Sequence, residues 1–395
     1  MVSTLRYTWI LLWTLAVPLV HAQILRVGPE RDIKTIASAA SLATAGSIVE
    51  VDAGVYKGDV AVWTQEKLTL RAIGGRVKLL AAGASAEGKA IWVVRGAQVS
   101  IEGFDFVGAR VPAKNGAGIR FEGGQLRVRD CSFTDNENGI LTSNQPDASL
   151  EIENSEFGNN GHGDGFSHNL YVGLIARLSV SGSYFHHAKG GHLLKSRASV
   201  NDIRYNRLAD GTGGRASYEL EFPNGGVAYV VGNIIEQGAQ TENPHLISFG
   251  IEGYRWPRNA LHLVNNTLVD DLPKGGVLLR VAPGISSVTA VNNLLVGSNT
   301  LEASAAGDYR NNVLVGRNAF EPAVPSAYRI KAGSEFSGQL VEVAADGAVL
   351  LQQQEQYLHP RRTEALAGRP HNPGAVQNLR QPPADDLTRS PIPKK

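Results

Sequence analysis

One pattern of apolar and polar positions recurs along most of this chain. An apolar residue is followed by two variable residues, a small polar residue, one variable residue and a second apolar residue. The copies lie on average about 26 residues apart, at residues 101–106, 128–133, 152–157, 180–185, 203–208, 230–235, 263–268, 290–295 and 309–314. A repeat of this length predicts a solenoid in which each copy is one coil stacked on the next.

The fourth position of the pattern predicts a ladder of side chains inside the stack. From the first copy to the last it holds Phe104, Cys131, Ser155, Ser183, Asn206, Asn233, Asn266, Asn293 and Asn312. Equivalent residues of stacked strands lie about 4.8 Å apart, a spacing that lets asparagine amides bond from coil to coil. The single cysteine then has a structural explanation as a small ladder residue.

Strand-like alternation precedes the ladder sites and disfavours helical repeats. Examples are Leu126-Arg-Val-Arg, Leu150-Glu-Ile-Glu and Leu178-Ser-Val-Ser. Each alternates apolar and polar residues with the period of two that a half-buried strand requires. The sequence therefore predicts an all-β solenoid of about nine or more coils.

The same alternation assigns the faces of a second strand in each coil. If Leu170, Leu194 and Leu220 point inward, their neighbours point outward. On this basis Asn169 and Tyr171 point outward, and an outward patch on three adjacent coils holds Tyr171, Lys195, Arg197, Glu219 and Glu221. His192 falls on the inward parity and is expected at a strand edge or in a turn. His168 and Asn169 are expected at the rim of the patch, after the glycine-rich residues 161–167.

Composition and charge narrow the classes of function. The chain has 395 residues, of which 43% are hydrophobic and 19% charged, and its formal net charge is +1. Without a leader that contains Arg6 the net charge is zero, so no general basic field attracts nucleic acid. With one cysteine, an intrachain disulfide and a cysteine-built zinc site are both excluded.

Residues 1–22 read as a secretory signal peptide. Arg6 supplies a positive start, residues 7–20 are apolar, and cleavage is expected between Ala22 and Gln23. The alternative is an uncleaved membrane anchor, but the apolar run of about 14 residues is shorter than the ~20 that a span needs. We therefore expect a secreted or periplasmic protein with no integral membrane segment after cleavage, and a monomer. Residues 377–395, which contain Gln381-Pro-Pro, read as a flexible tail.

With these features the chain resembles the right-handed, single-stranded parallel β-helix proteins of the pectate-lyase-like superfamily. The N-terminal stretches Arg26-Val-Gly-Pro, Ile33-Lys-Thr-Ile and Gly46-Ser-Ile-Val-Glu-Val agree with this resemblance, which covers roughly residues 24–320. It implies one β-helix domain over residues 23–376. A capping helix within residues 31–44 would cover the open end of the stack. Residues 326–376 are a less regular segment that would fold back along the coils.

The resemblance implies activity on an acidic polysaccharide, with Lys195 and Arg197 similar to the lysine and arginine of some β-helix lyases. Arg197 would neutralise a uronate carboxylate so that the C5 proton becomes acidic. Lys195 would be the base if its pKa were depressed, and Tyr171 or His192 would be the acid. His168, Asn169, Glu219 and Glu221 are the expected substrate-binding residues. Return of a proton to the other face of C5 would make the same site an epimerase.

Several alternatives stay open at this stage. Lys195 and Arg197 beside Glu219 and Glu221 also fit a plain ion-pair ladder, or a non-catalytic carbohydrate-binding surface protein. The carboxylates could hold Ca²⁺, although no cofactor is certain. The histidines at positions 162, 168, 186, 187 and 192 lack a diagnostic zinc spacing. A polygalacturonase-like hydrolase would use Asp270 and Asp271, which stand far from Gly161-His-Gly and in the wrong order.

Overall fold

The computed structural model describes residues 22–241, 243–297, 301, 305–322 and 327–377. The predicted signal peptide up to residue 21 and the predicted tail beyond residue 377 lie outside the described residues. Thirty-two strands, one α-helix and one 3₁₀ helix are assigned within this part of the chain. No helix among the described residues is long and apolar enough to cross a membrane.

Nine of the strands form one sheet, here called the front sheet. They pair in parallel and in chain order, so each coil contributes one strand. The front-sheet strands are Ala61–Trp63, Ala90–Val94, Ala117–Phe121, Asn138–Thr142, Leu170–Val172, Leu194–Ser196, Leu220–Phe222, His245–Phe249 and Val277–Val281. This continuous stacking confirms the predicted parallel β-solenoid.

The other coil faces belong to one 21-stranded sheet that consists of two rows. The back row contains Ile24–Val27, Ile48–Lys57, Leu68–Leu80, Gln98–Glu102, Gln125–Arg129, Gln145–Glu153, Ile175–Ser181, Val200–Arg204, Val227–Val231, Ala260–Val264, Ser287–Val291 and Gly307–Asp308. The side row contains Phe104–Val107, Ser132–Thr134, Glu156–Gly158, Tyr184–His186, Arg207–Ala209, Ile234–Gln237, Thr267–Asp270, Leu294–Val296 and Val313–Val315. The long strands Ile48–Lys57 and Leu68–Leu80 run through both rows and join them.

Buried apolar side chains from all three faces form one long core. A column of phenylalanines is part of it: Phe106, Phe133, Phe157 and Phe185 stack with ring centroids 4.7–4.9 Å apart. These residues occupy the last position of the sequence repeat in four successive coils. The ring spacing equals the strand spacing, so the column follows directly from the parallel register.

The asparagine ladder is present as predicted. The amide oxygen of Asn233 accepts a hydrogen bond from the backbone N–H of Asn206 at 2.9 Å. The amide oxygens of Asn266 and Asn293 each accept one from the backbone N–H of the preceding rung, also at 2.9 Å. Ser155 accepts the Cys131 N–H at 3.2 Å, so the buried cysteine lies on the ladder. Burial raises the pKa of its thiol to about 12.

The residue immediately before each rung has a positive φ, from Gly103 (86°) to Asn311 (54°). This left-handed conformation turns the chain between the back row and the side row. Glycine, asparagine and aspartate adopt this conformation at the least cost, and they occupy eight of the nine positions. The exception is Tyr205, with a φ of 55°.

The helix in the predicted capping segment spans Ile36–Leu42, which is shorter than residues 31–44. Thr35 begins it by accepting the Ser38 N–H, and Asp59 accepts the N–H groups of Ile36 and Ala37 at 2.7 and 2.9 Å. The helix ends where Ala43 becomes extended. Its capping role and the right-handed sense of the coil stay predictions.

Beyond the coils, the chain from residue 327 runs back along the outside of the stack. Three hydrogen bonds attach it to the coils. The Val341 N–H donates to the Asn292 side chain, Arg204 donates to the Leu350 carbonyl, and Arg361 donates to the Cys131 carbonyl. Its regular structure is an antiparallel hairpin of Glu355–Leu358 and Arg362–Ala365. A 3₁₀ helix, Arg317–Ala319, precedes it.

Replacement of Asn233 by alanine should lower the free energy of unfolding by about 3 kcal/mol, because two buried N–H donors of Asn206 lose their acceptor. Urea unfolding followed by circular dichroism measures this. Asn312→Ala, at the half-exposed last rung, is the control and should cost about 1 kcal/mol or less, since water can replace the lost acceptor. Equal losses in the two variants would contradict the ladder's role.

Candidate functional site

Tyr171, Lys195 and Glu221 lie side by side on three neighbouring strands of the front sheet. The parallel register pairs Tyr171 with Lys195 and Lys195 with Glu221. Their flanking residues Leu194, Ser196 and Leu220 are fully buried, so the alternation places these three on the outer face as expected. Arg197 follows directly after the strand Leu194–Ser196.

A fifth residue, Glu252, joins the two cations and was not identified from the sequence. One of its carboxylate oxygens lies 2.9 Å from Lys195 Nζ and the other lies 2.7 Å from Arg197 Nη1. Glu221 Oε2 lies 3.0 Å from Lys195 Nζ on the other side. The two cations therefore meet two carboxylates, and the site carries no net charge.

The loop that carries Glu252 is held in place at several points. Asn224 donates to the Gly253 carbonyl at 2.9 Å and accepts a hydrogen bond from Arg197. Trp256 Nε1 donates to the Arg197 carbonyl at 3.0 Å. One sequence signal could have found this loop: the ladder rungs before and after it, Asn233 and Asn266, are 33 residues apart instead of the average of about 26.

These contacts set the charge of Lys195. Burial alone lowers the pKa of this amine, but the charges and hydrogen bonds of Glu221 and Glu252 outweigh burial and raise it. The sequence-based condition that the Lys195 pKa is depressed is therefore not met in the free protein. Arg197 also has a raised pKa, because Glu252 and Tyr171 outweigh the effect of its burial.

Tyr171 is oriented by the two cations. Its phenol oxygen accepts a hydrogen bond from Arg197 Nε at 3.4 Å. Arg197 and Lys195 also lie 5.8 and 6.0 Å from the ring centroid, within the range of cation–π contacts. Because the oxygen accepts from Arg197, the phenol proton is free to point toward a ligand.

His168 is buried beneath this cluster and not at its rim, whereas His192 lies just before the strand Leu194–Ser196, as expected for a turn or strand edge. His168 and His192 stack at 4.4 Å, and His168 Nδ1 accepts the backbone N–H of His192 at 2.9 Å. His192 Nε2 lies 3.0 Å from Glu221 Oε2. Burial lowers the pKa of both imidazoles, so they are neutral at pH 7. Glu221, although on the outer face, is buried beneath Lys195; His192 and Lys195 outweigh the effect of burial and lower the pKa of its carboxyl group.

The expectation that Asn169 faces outward is wrong. Its side chain is fully buried, accepts from the Asn160 N–H at 3.2 Å and donates to the His186 carbonyl at 2.8 Å. Asn136 and Asn160 continue these bonds toward the earlier coils, so Asn169 is a rung of a second ladder. The alternation fails because Asn169 precedes the strand Leu170–Val172 and lies in the turn.

The expectation for Glu219 is also wrong, for the same reason: it precedes the strand Leu220–Phe222. Its side chain is fully buried, and neither carboxylate oxygen has a hydrogen-bond partner among the described residues. Burial and the negative charge of Asp210 raise the pKa of Glu219 well above its ordinary value. Glu219 is therefore a buried group without access to a ligand, and its surroundings favour the protonated form.

The other candidate chemistries find structural explanations. Asp270 accepts the Leu272 N–H at 3.0 Å and bonds Gln237, while Asp271 pairs with Arg317, so these acids stabilise the far end of a side-row strand. His162 lies 3.4 Å from Glu137. Within the described ranges, no group of three histidine, cysteine, aspartate or glutamate side chains is arranged to hold a metal ion.

The pH dependence of stability tests the buried state of Glu219. The folded protein retains a proton on Glu219 that the unfolded chain releases above pH 4.5, so this group makes stability fall as pH rises. In Glu219→Gln that loss is absent. Its thermal midpoint should therefore rise relative to that of the natural protein as the pH increases above about 5. The exposed Glu66→Gln control should show no such trend, and a constant difference in Glu219→Gln would contradict the assignment.

Comparison with known proteins supports the fold. The structure titled "Crystal structure of pectate lyase Pel9A" matches with a TM-score of 0.59 at 12% sequence identity, covering 90% of this chain and 96% of that one. "Geobacillus virus E2 - ORF18" matches with a TM-score of 0.42 at 15% identity over 68% of this chain and 53% of its own. No protein-family model and no curated protein matches the sequence. The chain thus has the fold of a pectate-lyase-like parallel β-helix.

Proposed function

We propose that this protein is exported and cleaves an acidic, uronic acid-containing polysaccharide by β-elimination. The observation that carries the proposal is the shared position of Glu252. Its carboxylate bridges Lys195 and Arg197, two cations on the outer face of the front sheet. The carboxylate oxygen that Glu252 places on Arg197 occupies the position that the carboxylate of a bound uronate would take.

Binding would start with exchange of one carboxylate for another. The uronate carboxylate displaces Glu252 and takes its place on Arg197, which withdraws charge from C5 and makes the C5 proton acidic. Because the uronate carboxylate lies on Arg197 and not between the two cations, displacement of Glu252 leaves Lys195 without one of the two acids that raise its pKa. Substrate binding itself therefore moves Lys195 toward the neutral form that can act as a base.

The elimination then uses Lys195 and Tyr171. Lys195 takes the C5 proton, the electron pair of the C–H bond forms the C4–C5 double bond, and the C4–O4 bond breaks. Tyr171, held by Arg197, donates its phenol proton to the departing O4. Transfer of the proton from Lys195 back to the phenolate restores the site. His192 is buried against Glu221 and is not the acid. It acts on the base Lys195 only through Glu221, which contacts both residues.

The second candidate function is a non-catalytic carbohydrate-binding module. One observation favours it: Lys195 is paired with two carboxylates and has a raised pKa, as in a structural ion-pair network. A binder would hold the same acidic glycan without forming product.

An epimerase would exchange the C5 hydrogen with solvent without cleavage, which proton NMR in D₂O detects.

Replacement of either cation should abolish cleavage. We expect the rate at which the absorbance of unsaturated uronate grows to fall at least about a thousandfold in both Lys195→Gln and Arg197→Gln. The first variant loses the base and the second loses the electrostatic stabiliser. The assay uses a panel of uronic acid polymers, each with and without Ca²⁺. Arg177→Gln removes the same charge from the back row and should retain full activity. Activity that persists in Lys195→Gln would refute its role as the base.

The pH profile provides an independent check. Because Lys195 has a raised pKa and must be neutral to act, kcat/KM should increase toward alkaline pH. Glu252→Gln removes one carboxylate that raises this pKa, so the rise should move to lower pH. Glu66→Gln should leave the profile unchanged. A shift of the Glu252→Gln profile to higher pH would contradict the proposed charge coupling.

A further inference from the structure

A groove of about 580 Å³ adjoins the candidate site on the side of the earlier coils. Tyr171 lies at its boundary and is shared with the catalytic cluster. Its walls also include Lys114, Arg120, Ser143, Asp164 and Phe166. The lining thus holds two cations and one acid, so the groove as a whole favours an anion.

Arg120 lies on the same outer row of the front sheet as Lys195. The register pairs Arg120 with Leu141, Leu141 with Tyr171, and Tyr171 with Lys195. Three strand spacings separate the two cations, which corresponds to about 14 Å along the stack. That distance exceeds one sugar ring and matches a short oligosaccharide that lies along the row.

Arg120 lacks a strong partner, although its side chain is only 25% exposed. Its Nη2 donates to Ser143 Oγ at a long 3.3 Å, and its Nε has no hydrogen-bond partner among the described residues. The nearest carboxylate oxygen, of Glu122, lies 3.8 Å from Nε. Burial lowers the pKa of Arg120, and the charge of Glu122 compensates only in part.

Glu122 cannot satisfy Arg120 because other cations already use it. Lys89 lies 2.8 Å from one of its carboxylate oxygens and Arg95 Nε lies 2.6 Å from the other. The remaining acid of this cluster, Glu87, pairs with the same Lys89 and Arg95. The cluster therefore leaves one guanidinium, that of Arg120, available for an external carboxylate.

Phe166 adds an apolar surface to the edge of the groove. Its side chain is 83% exposed, at the edge of the groove in the glycine-rich loop. Asp164 accepts the Phe166 N–H at 3.1 Å and orients this turn. Exposed aromatic rings beside polar groups are typical of ligand sites, and the C–H face of a sugar ring packs on such a ring.

We propose that Arg120 binds a carboxylate of an acidic oligosaccharide, in a subsite about three strand spacings from Lys195, with Phe166 packing on a sugar ring. The identity of the ligand rests on the proposed function. The subsite makes two requirements of the substrate: more than two sugar units, and a second uronate at a defined distance from the one at Arg197.

The test is equilibrium binding of oligogalacturonates, from the disaccharide to the hexasaccharide, measured by calorimetry at about pH 6, where the protonated Lys195 does not cleave them, on the natural protein and on Arg120→Gln. The same series is run with oligoguluronates. For the hexasaccharide that binds, Arg120→Gln should weaken binding about tenfold, the effect of one charged hydrogen-bonding contact. For the disaccharide, which spans only the Lys195 end, the two proteins should bind equally. Arg120→Lys keeps the charge and should fall between them.

Controls separate this inference from the proposed function. Arg177→Gln removes an equal charge from the back row and should bind every oligomer as the natural protein does, and thermal unfolding verifies that each variant is folded. Equal hexasaccharide binding by the natural protein and Arg120→Gln would overturn the subsite while leaving the function at Lys195 intact. Failure of the natural protein to bind either series would overturn both.

Discussion

The whole molecule depends on one constraint: successive coils must turn at the same point and stack in parallel register. A residue with positive φ, followed by a buried rung such as Asn233 that bonds to the next coil, imposes this at the turns between the back and side rows from Cys131 to Asn293. Residues about 26 positions apart in the sequence then become neighbours at one strand spacing. Tyr171, Lys195 and Glu221 meet for this reason alone, without any local motif that brings them together.

The chemistry of the site follows from how its charges are balanced. Lys195 and Arg197 lie on the outer face of the front sheet, where both side chains are largely buried, and each already has a carboxylate partner in Glu252. Beneath them the titratable groups are kept neutral by burial, as in His168 and Glu219, or are paired, as in Glu221 with Lys195. Glu252 is the most exposed of these carboxylates and comes from a loop, so it is the one that an incoming anion can replace. Arg120, in the adjoining groove, differs because its nearby acids are engaged elsewhere.

The sequence predicted the fold and about half of the site. Whether a residue was placed correctly depends on whether it lies inside a strand or in a turn or loop. Residues inside strands, such as Lys195 and Glu221, obey the alternation of faces and were placed correctly. Asn169 and Glu219 precede their strands, where the backbone turns and alternation no longer determines direction. Glu252 lies on a loop, whose path depends on tertiary bonds to Asn224 and Trp256 and has no periodic signal. The spacing of 33 residues between the rungs Asn233 and Asn266 is the one feature of the sequence that indicates an inserted loop.

The most direct test of the central claim is a crystal structure of the protein with a bound acidic oligosaccharide. The account predicts that a uronate carboxylate lies against Arg197, in the place of the Glu252 carboxylate, with C5 facing Lys195 Nζ and O4 facing the Tyr171 hydroxyl. A saccharide bound on another face, or one bound while Glu252 still bridges Lys195 and Arg197, would contradict it.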